Sequence, residues 1–231
     1  MKKIGLVGGL GPASTVDYYL GLVEKHRSVH GEDNYPQIVI DSVNMHEVTE
    51  AFAGSNYDGV AEIILKSLHS LKNAGAEIAA VTANTVHIAW DCFAGKSPLP
   101  LVSIVDVTAD YIANQGYKRV LVLGTEFTMK SGLYGKSLSE RGITHIVPGG
   151  EDIKRISGLF FPNLENGIVV AEDKRKMLAI AESYIRAEKT DALLLGCTEL
   201  PLMIKDGDVS VPLVNTTEIH IDAVYRAAEG K

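Results

Sequence analysis

A cysteine placed where a buried strand ends is the strongest chemical feature of this chain. Cys197 follows the apolar run Ala192 to Leu195 and Gly196, and precedes Thr198, which puts it at the ligand-facing end of a strand in an open α/β sheet. A helix opening across Glu199 to Ile204 would aim unpaired amides at the sulfur and lower its pKa from the reference of about 8.5, suiting a nucleophile or a proton-transfer base. The competing reading of a lone cysteine is inert packing. It is the better reading of Cys92, which lies beside Trp90 and Phe93 in a predicted helix. Gly8-Gly9-Leu10-Gly11-Pro12 with Ser14 and Thr15 forms a glycine-rich turn whose amides and hydroxyls suit an anion. Pro12 breaks the dinucleotide spacing and a P-loop lysine is absent. Asn84, Thr85 and His87 follow another apolar run, suited to hold a carboxylate or amine or to cap a helix. His46 and His220 have no partner motif, and no His, Cys, Asp or Glu set shows metal spacing. The expectation is therefore no pyridoxal phosphate, nucleotide or metal cofactor.

The elements that position these residues are legible as short apolar runs at Lys3 to Val7, Ile38 to Val43, Glu77 to Thr82, Leu101 to Val105, Arg119 to Leu123, Thr144 to Val147, Ala192 to Leu195 and Val211 to Val214. These predict eight buried strands. Between them Asp58 to Ala74 carries Val60, Ile64, Leu68 and Leu71 at helical spacing with Gly75 as a stop, and Glu172 to Glu188 is a second such helix. Alternating strands and helices predict an α/β fold with parallel sheets covered on both faces.

The two halves also resemble each other. Ile4 to Gly9 matches Val120 to Thr125, and Glu77 to Thr85 matches Asp191 to Glu199; Gly8 to Ala83 spans 75 residues and Gly124 to Cys197 spans 73. An internal duplication gives this spacing. It predicts two similar α/β lobes, one of residues 1–102 plus 213–231 and one of residues 103–212, with a helix from about Thr216 packing back on the first lobe and the cleft between them as the default site.

The 231 residues are 46% hydrophobic and 22% charged, which argues against disorder and coiled coil. The net charge of −7 comes without a long basic run, so nucleic acid and anionic membranes are not expected partners. No long apolar stretch or signal-peptide pattern is present, and the expectation is a cytoplasmic protein. Two cysteines make no disulfide framework.

Four motifs in order, Ile4 to Pro12 with Ser14-Thr15, Asn84-Thr85-Val86-His87, Leu123-Gly124-Thr125 and Gly196-Cys197-Thr198-Glu199-Leu200, are similar to those of the cofactor-independent aspartate/glutamate racemases over essentially the full chain. The resemblance implies two α/β lobes, a homodimer, and racemisation of an acidic amino acid by two opposed cysteines, one taking the α-proton and the other reprotonating the opposite face. It also implies Cys197 and position 83 as the catalytic pair, with Gly11, Ser14, Asn84, Thr85, Thr125 and Thr198 around the substrate. The chain departs from that pattern at Ala83, where the family's first cysteine would stand. Three explanations stay open: an engineered change, a one-thiol enzyme like the arylmalonate decarboxylases, or a small-carboxylate binder that has lost catalysis. Two family cations are also missing, since the stretches read Ser42-Val43-Asn44-Met45-His46-Glu47 and Leu164-Glu165-Asn166-Gly167. A dicarboxylate would then rely on amides, hydroxyls and His46.

Overall fold

The computed structural model describes residues 1–160, 163–164 and 167–230. The chain forms two compact units, Met1–Ser103 with Thr217–Lys231, and Ile104–Thr216.

In the first unit β1 (Ile4–Gly8), β2 (Ile38–Ser42) and β3 (Ile78–Val81) form a parallel sheet in the order β2-β1-β3. Helices α1 (Pro12–His30), α2 (Met45–Ala53), α3 (Tyr57–Asn73) and the single turn α4 (Trp90–Phe93) connect or follow the strands. The side chains of β1 and β3 divide by the two-residue period of a strand. Val7, Ala79 and Val81 join Ile64, Leu68 and Leu71 of α3 in one core, while Ile4, Leu6, Ile78 and Ala80 join Tyr18 and Leu22 of α1 in another. Both faces are thus covered, which explains strands without polar alternation. Gly5 is there because a Cβ would stand 3.0 Å from the Cβ of Ala76.

In the second unit β4 (Arg119–Leu123), β5 (Thr144–Ile146), β6 (Ala192–Leu195) and β7 (Leu213–Asn215) are parallel in the order β5-β4-β6-β7. Its helices are α5 (Ile104–Asn114), α6 (Glu126–Ser131), α7 (Gly135–Glu140), α8 (Gly150–Phe160), α9 (Ala171–Glu188) and the one-turn α10 (Leu200–Met203). Leu121, Leu123, Leu193 and Leu195 pack on Ile153 and Ile156 of α8 and Met177, Ala181 and Ile185 of α9. The last helix, α11 (Thr216–Glu229), belongs to the first unit from Thr217 onward, and its Ile221, Val224 and Tyr225 close the core over β1 and α1.

The architecture is the expected α/β with two parallel sheets flanked by helices. One expected strand is absent. Leu101 makes an isolated parallel bridge to Ala79, and α5 already begins at Ile104. Pro100 lends only its carbonyl, which accepts from the Ala79 amide, because proline has no N–H to continue a ladder. From Ile104 the apolar residues recur at helical spacing, with Ile104, Val105, Thr108, Ala109 and Ile112 buried. Among the described residues the first unit therefore has three strands, without the one expected at Leu101 to Val105.

Candidate functional site

Two strand ends carry the chemistry-bearing residues, one in each unit. In the first, Val7 pairs with Val81, and Ala83 follows two residues later. The turn after β1 is built on glycine: Gly9 and Gly11 have φ of 78° and 131°, a region that L side chains avoid. A Cβ on Gly9 would also stand 2.3 Å from the Val43 carbonyl oxygen. Pro12 opens α1, where its missing N–H costs nothing. The Ser14 hydroxyl is buried and donates to the Thr82 carbonyl at 2.6 Å, while the Thr82 hydroxyl donates to the Val7 carbonyl at 3.0 Å. Thr15 accepts from the Gly9 amide at 3.0 Å. Ser14 and Thr15 thus lock the glycine turn and tie it to the end of β3.

Beyond β3, Asn84 precedes a 3₁₀ turn of Thr85–Ala89. His87 is buried there, donates from Nδ1 to the Ala83 carbonyl at 2.8 Å and stacks on Trp90. His220 on α11 lies 6.3 Å from it, ring centre to ring centre. The His220 Nε2–H donates to the Val102 carbonyl at 2.9 Å, which leaves Nδ1 to accept from the Tyr18 hydroxyl at 2.6 Å. Burial pushes the His220 pKa down to about 3, helped by repulsion from His87, so this imidazole is neutral and structural. His46 opens α2 with its side chain largely in solvent, 3.4 Å from Glu50.

The second unit repeats the arrangement. Leu123 pairs with Leu195, and Cys197 follows two residues later, the register of Val7, Val81 and Ala83. Gly124 and Gly196 let the strand ends approach: the Gly196 amide donates to the Leu123 carbonyl at 2.7 Å, and a Cβ on Gly124 would stand 3.0 Å from the Gly196 carbonyl oxygen. Thr125 caps α6, accepting from the Thr128 amide at 3.2 Å. The Cys197 thiol is buried and donates to Glu199 Oε2 at 2.9 Å, and the Thr198 hydroxyl donates to the same oxygen at 2.9 Å.

Burial pushes the Cys197 pKa well up, and the adjacent Glu199 charge pushes it further. This reverses the expected direction. The amides of Thr198 and Glu199 do favour the thiolate, but α10 is a single turn and its dipole is correspondingly small. Desolvation of a buried thiol outweighs it. The buried phenol of Tyr134 is also raised, chiefly by desolvation, with Cys197 close enough to add to it.

The structure therefore groups Gly11, Ser14, Ala83, Asn84 and Thr85 at one sheet end, and Thr125, Cys197 and Thr198 at the other unit's corresponding end. Of the Leu164-to-Gly167 stretch, Glu165 and Asn166 lie outside the described residues. Glu199 and Tyr134 are the residues that sequence reasoning left without a role. An acid two positions beyond the thiol was a usable signal for Glu199; nothing local marks Tyr134.

The family model described as Asp/Glu/Hydantoin racemase matches residues 7–224. The chain belongs to that family. It is similar to an aspartate racemase homologue from Pyrococcus horikoshii OT3, at 36% identity and a TM-score of 0.87 over 99% of this chain and 100% of that one. A putative Asp/Glu racemase from Yersinia pestis superposes with a TM-score of 0.91 at 31% identity, over 99% and 100% of the two chains. A glutamate racemase from Aquifex pyrophilus is 30% identical over 164 residues, 67% of this chain and 60% of that protein. The chain thus spans under two thirds of the length of that curated relative.

Proposed function

We propose that this chain acts on the α-proton of an acidic amino acid, aspartate or glutamate, by cofactor-independent acid–base chemistry centred on Cys197. The observation that carries the reading is the thiol's bond to Glu199, 2.9 Å from sulfur to carboxylate oxygen, at the strand end of a racemase-family chain. A buried thiol with a raised pKa is a proton donor at rest. To act as a base it must first pass its proton to an acceptor, and Glu199 is already placed as one. The thiolate then takes the α-proton, the C–H electron pair moves into the adjacent carboxyl as an enediolate, and reprotonation by the thiol restores the amino acid. The Thr125 hydroxyl is a proposed substrate contact, with Gly11, Asn84 and Thr85, while Thr198 acts through Glu199, to which its hydroxyl is committed. Ser14 acts through Thr82, to which its hydroxyl is committed.

Ala83 occupies the repeat position that matches Cys197, and a methyl group carries no proton. The reading therefore gives α-proton exchange without inversion in this chain, and full racemisation only with a second thiol. Incubating L- and D-aspartate and L- and D-glutamate in D₂O and following the α-proton by NMR tests it. The expected result is Cys197-dependent deuterium uptake with retained configuration. No exchange with any of the four, together with measurable binding of one, assigns the chain to the small-carboxylate binders instead; loss of carboxylate from a malonate substrate assigns it to one-thiol decarboxylation. The proposal includes a homodimer in the cytoplasm. Among the described residues no helix is long and apolar enough to cross a membrane.

A further inference from the structure

Away from both strand ends, α1 and α11 of the first unit bring together His26, His30 and Glu229. The two histidines are four residues apart on α1 and so share one face of the helix. Their ring centres lie 4.3 Å apart. Glu229, in the last turn of α11, approaches His30 Nε2 to 3.4 Å. One ligand atom from each of the three lies within 4.8 Å of the other two, and among the described residues this is the one such set. Donors on a tetrahedral zinc at about 2.0 to 2.1 Å sit roughly 3.3 Å from each other. The 3.4 Å pair already has that separation, and the remaining contraction, within the 4.8 Å that encloses all three ligand atoms, brings this pair toward His26.

The surroundings of His26 fit a ligand as well. This imidazole is buried, and its Nε2 faces the Asn34 side-chain oxygen at 3.1 Å. An amide oxygen only accepts, so the proton is on Nε2 and Nδ1 accepts from the Tyr225 hydroxyl at 3.3 Å, a long bond that an ion on Nδ1 would replace. A ligating histidine is commonly held in this way, by an acceptor on the nitrogen opposite the metal. Two imidazoles and one carboxylate suit zinc and its neighbours in the first transition row better than calcium or magnesium, which take oxygen sets. We propose that His26, His30 and Glu229 bind a divalent transition ion of the zinc class, with water completing the shell, and that the ion fastens α11 to α1. The same helices are already joined by the Lys25–Asp222 ion pair at 2.6 Å, so the ion would reinforce a contact that exists without it.

The test uses untagged, chelator-stripped full-length protein. Titration with zinc chloride by calorimetry should give one site per chain, and the melting temperature should rise with zinc concentration. Cobalt(II) should give the intensified visible bands of a low-coordinate nitrogen and oxygen site. His30→Ala, at a partly exposed side chain, and Glu229→Gln, a change that keeps the size of a mostly buried one, should each weaken binding at least tenfold and remove the melting shift. Asn34→Ala should weaken it about tenfold through His26. Cys92→Ser and Cys197→Ser should leave it unchanged. Zinc binding that survives both ligand substitutions, binding lost with either cysteine, or no saturable binding overturns the assignment.

Discussion

The ends of β3 and β6 hold the same backbone position in two repeats and surround it with different chemistry. At β3 the position is Ala83, its carbonyl held by His87, with the buried His220 and Tyr18 behind. At β6 it is Cys197, its thiol bonded to Glu199. The supporting parts are alike: a glycine ends the first strand of one repeat and directly follows that of the other, and a threonine oxygen beyond it accepts a backbone amide, Thr15 from Gly9 and Thr125 from Thr128. One repeat thus keeps the frame without a titratable group at its tip, whereas the other keeps both. The frame does not depend on the thiol. Gly9 and Gly11 are joined through the Thr15 hydroxyl, Ser14 bonds the Thr82 carbonyl and Thr82 the Val7 carbonyl, so none of these bonds involves the side chain at 83.

The largest expected effect comes from making the repeats alike. Ala83→Cys should create racemisation of aspartate or glutamate where the parent only exchanges the α-proton, a gain of about 10² to 10⁴-fold or more, since a positioned acid or base contributes that range. Chiral chromatography after incubation in water measures it. Cys197→Ser in the same background should return it to the baseline. A folded Ala83→Cys protein that racemises no acidic amino acid would break the proposed equivalence of the two strand ends.

Second in size is Glu199→Gln, which removes the carboxylate that the first repeat lacks. Two readouts should then move in opposite senses. The exchange rate should fall by roughly 10² as the thiol's proton acceptor is lost. The thiol's own pKa should drop, because the Glu199 charge raises it, so alkylation by iodoacetamide should set in at lower pH. An unchanged alkylation profile would mean that the Glu199 carboxylate does not face the thiol, and an unchanged exchange rate would remove it as the proton acceptor.

The strands were largely legible because both sheet faces are buried, which makes each strand a short unbroken apolar run. Leu101 to Val105 failed by the same token: it is equally apolar, but Pro100 and the helical spacing from Ile104 decide it, and an apolar run alone does not separate strand from buried helix. At the site, Cys197 was legible from its place after β6, and Ala83 from the repeat. The direction of the Cys197 shift was not, because it depends on burial and on a side chain two residues away folding back toward the sulfur. The role of Ser14 was equally hidden, since its partner Thr82 is distant in sequence. No set with metal spacing was legible in the sequence, and His26 and His30, four apart on α1, were passed over because Glu229 joins them only through the return of α11.

The imidazole side of the comparison predicts an acid sensitivity. His220 is held neutral in the fold with a pKa near 3, against an ordinary value of about 6.5. The unfolded chain takes up a proton below that value and the folded one does not, so the contribution is fully present above about pH 6.5 and drains away as pH falls toward 3. Stability should drop by about 2 to 3 kcal/mol between pH 7 and pH 4.5 from this group. Urea unfolding at the two pH values, with His220→Gln as the variant that flattens the slope, measures it. An equal slope in the variant would remove His220 as the source.

The smallest effect sharpens the comparison at the turns themselves. Thr125 Oγ1 accepts from the Thr128 amide at 3.2 Å and contacts the Thr128 hydroxyl at 3.1 Å, so it caps α6 whatever else it touches. Removing such a cap costs about 1 kcal/mol, and serine, which keeps the oxygen, restores most of it. Thr125→Ala should therefore lower the urea midpoint, and Thr125→Ser should recover it. The same pair also tests the proposed substrate contact, because an oxygen engaged only with α6 leaves the KM for exchange unchanged once both proteins are folded. The expected result is a higher KM for Thr125→Ala and a near-parental one for Thr125→Ser. A KM equal to the parent's in both would leave Thr125 a frame residue like Thr15, and would remove it from the substrate donors while leaving Cys197 and Glu199 untouched.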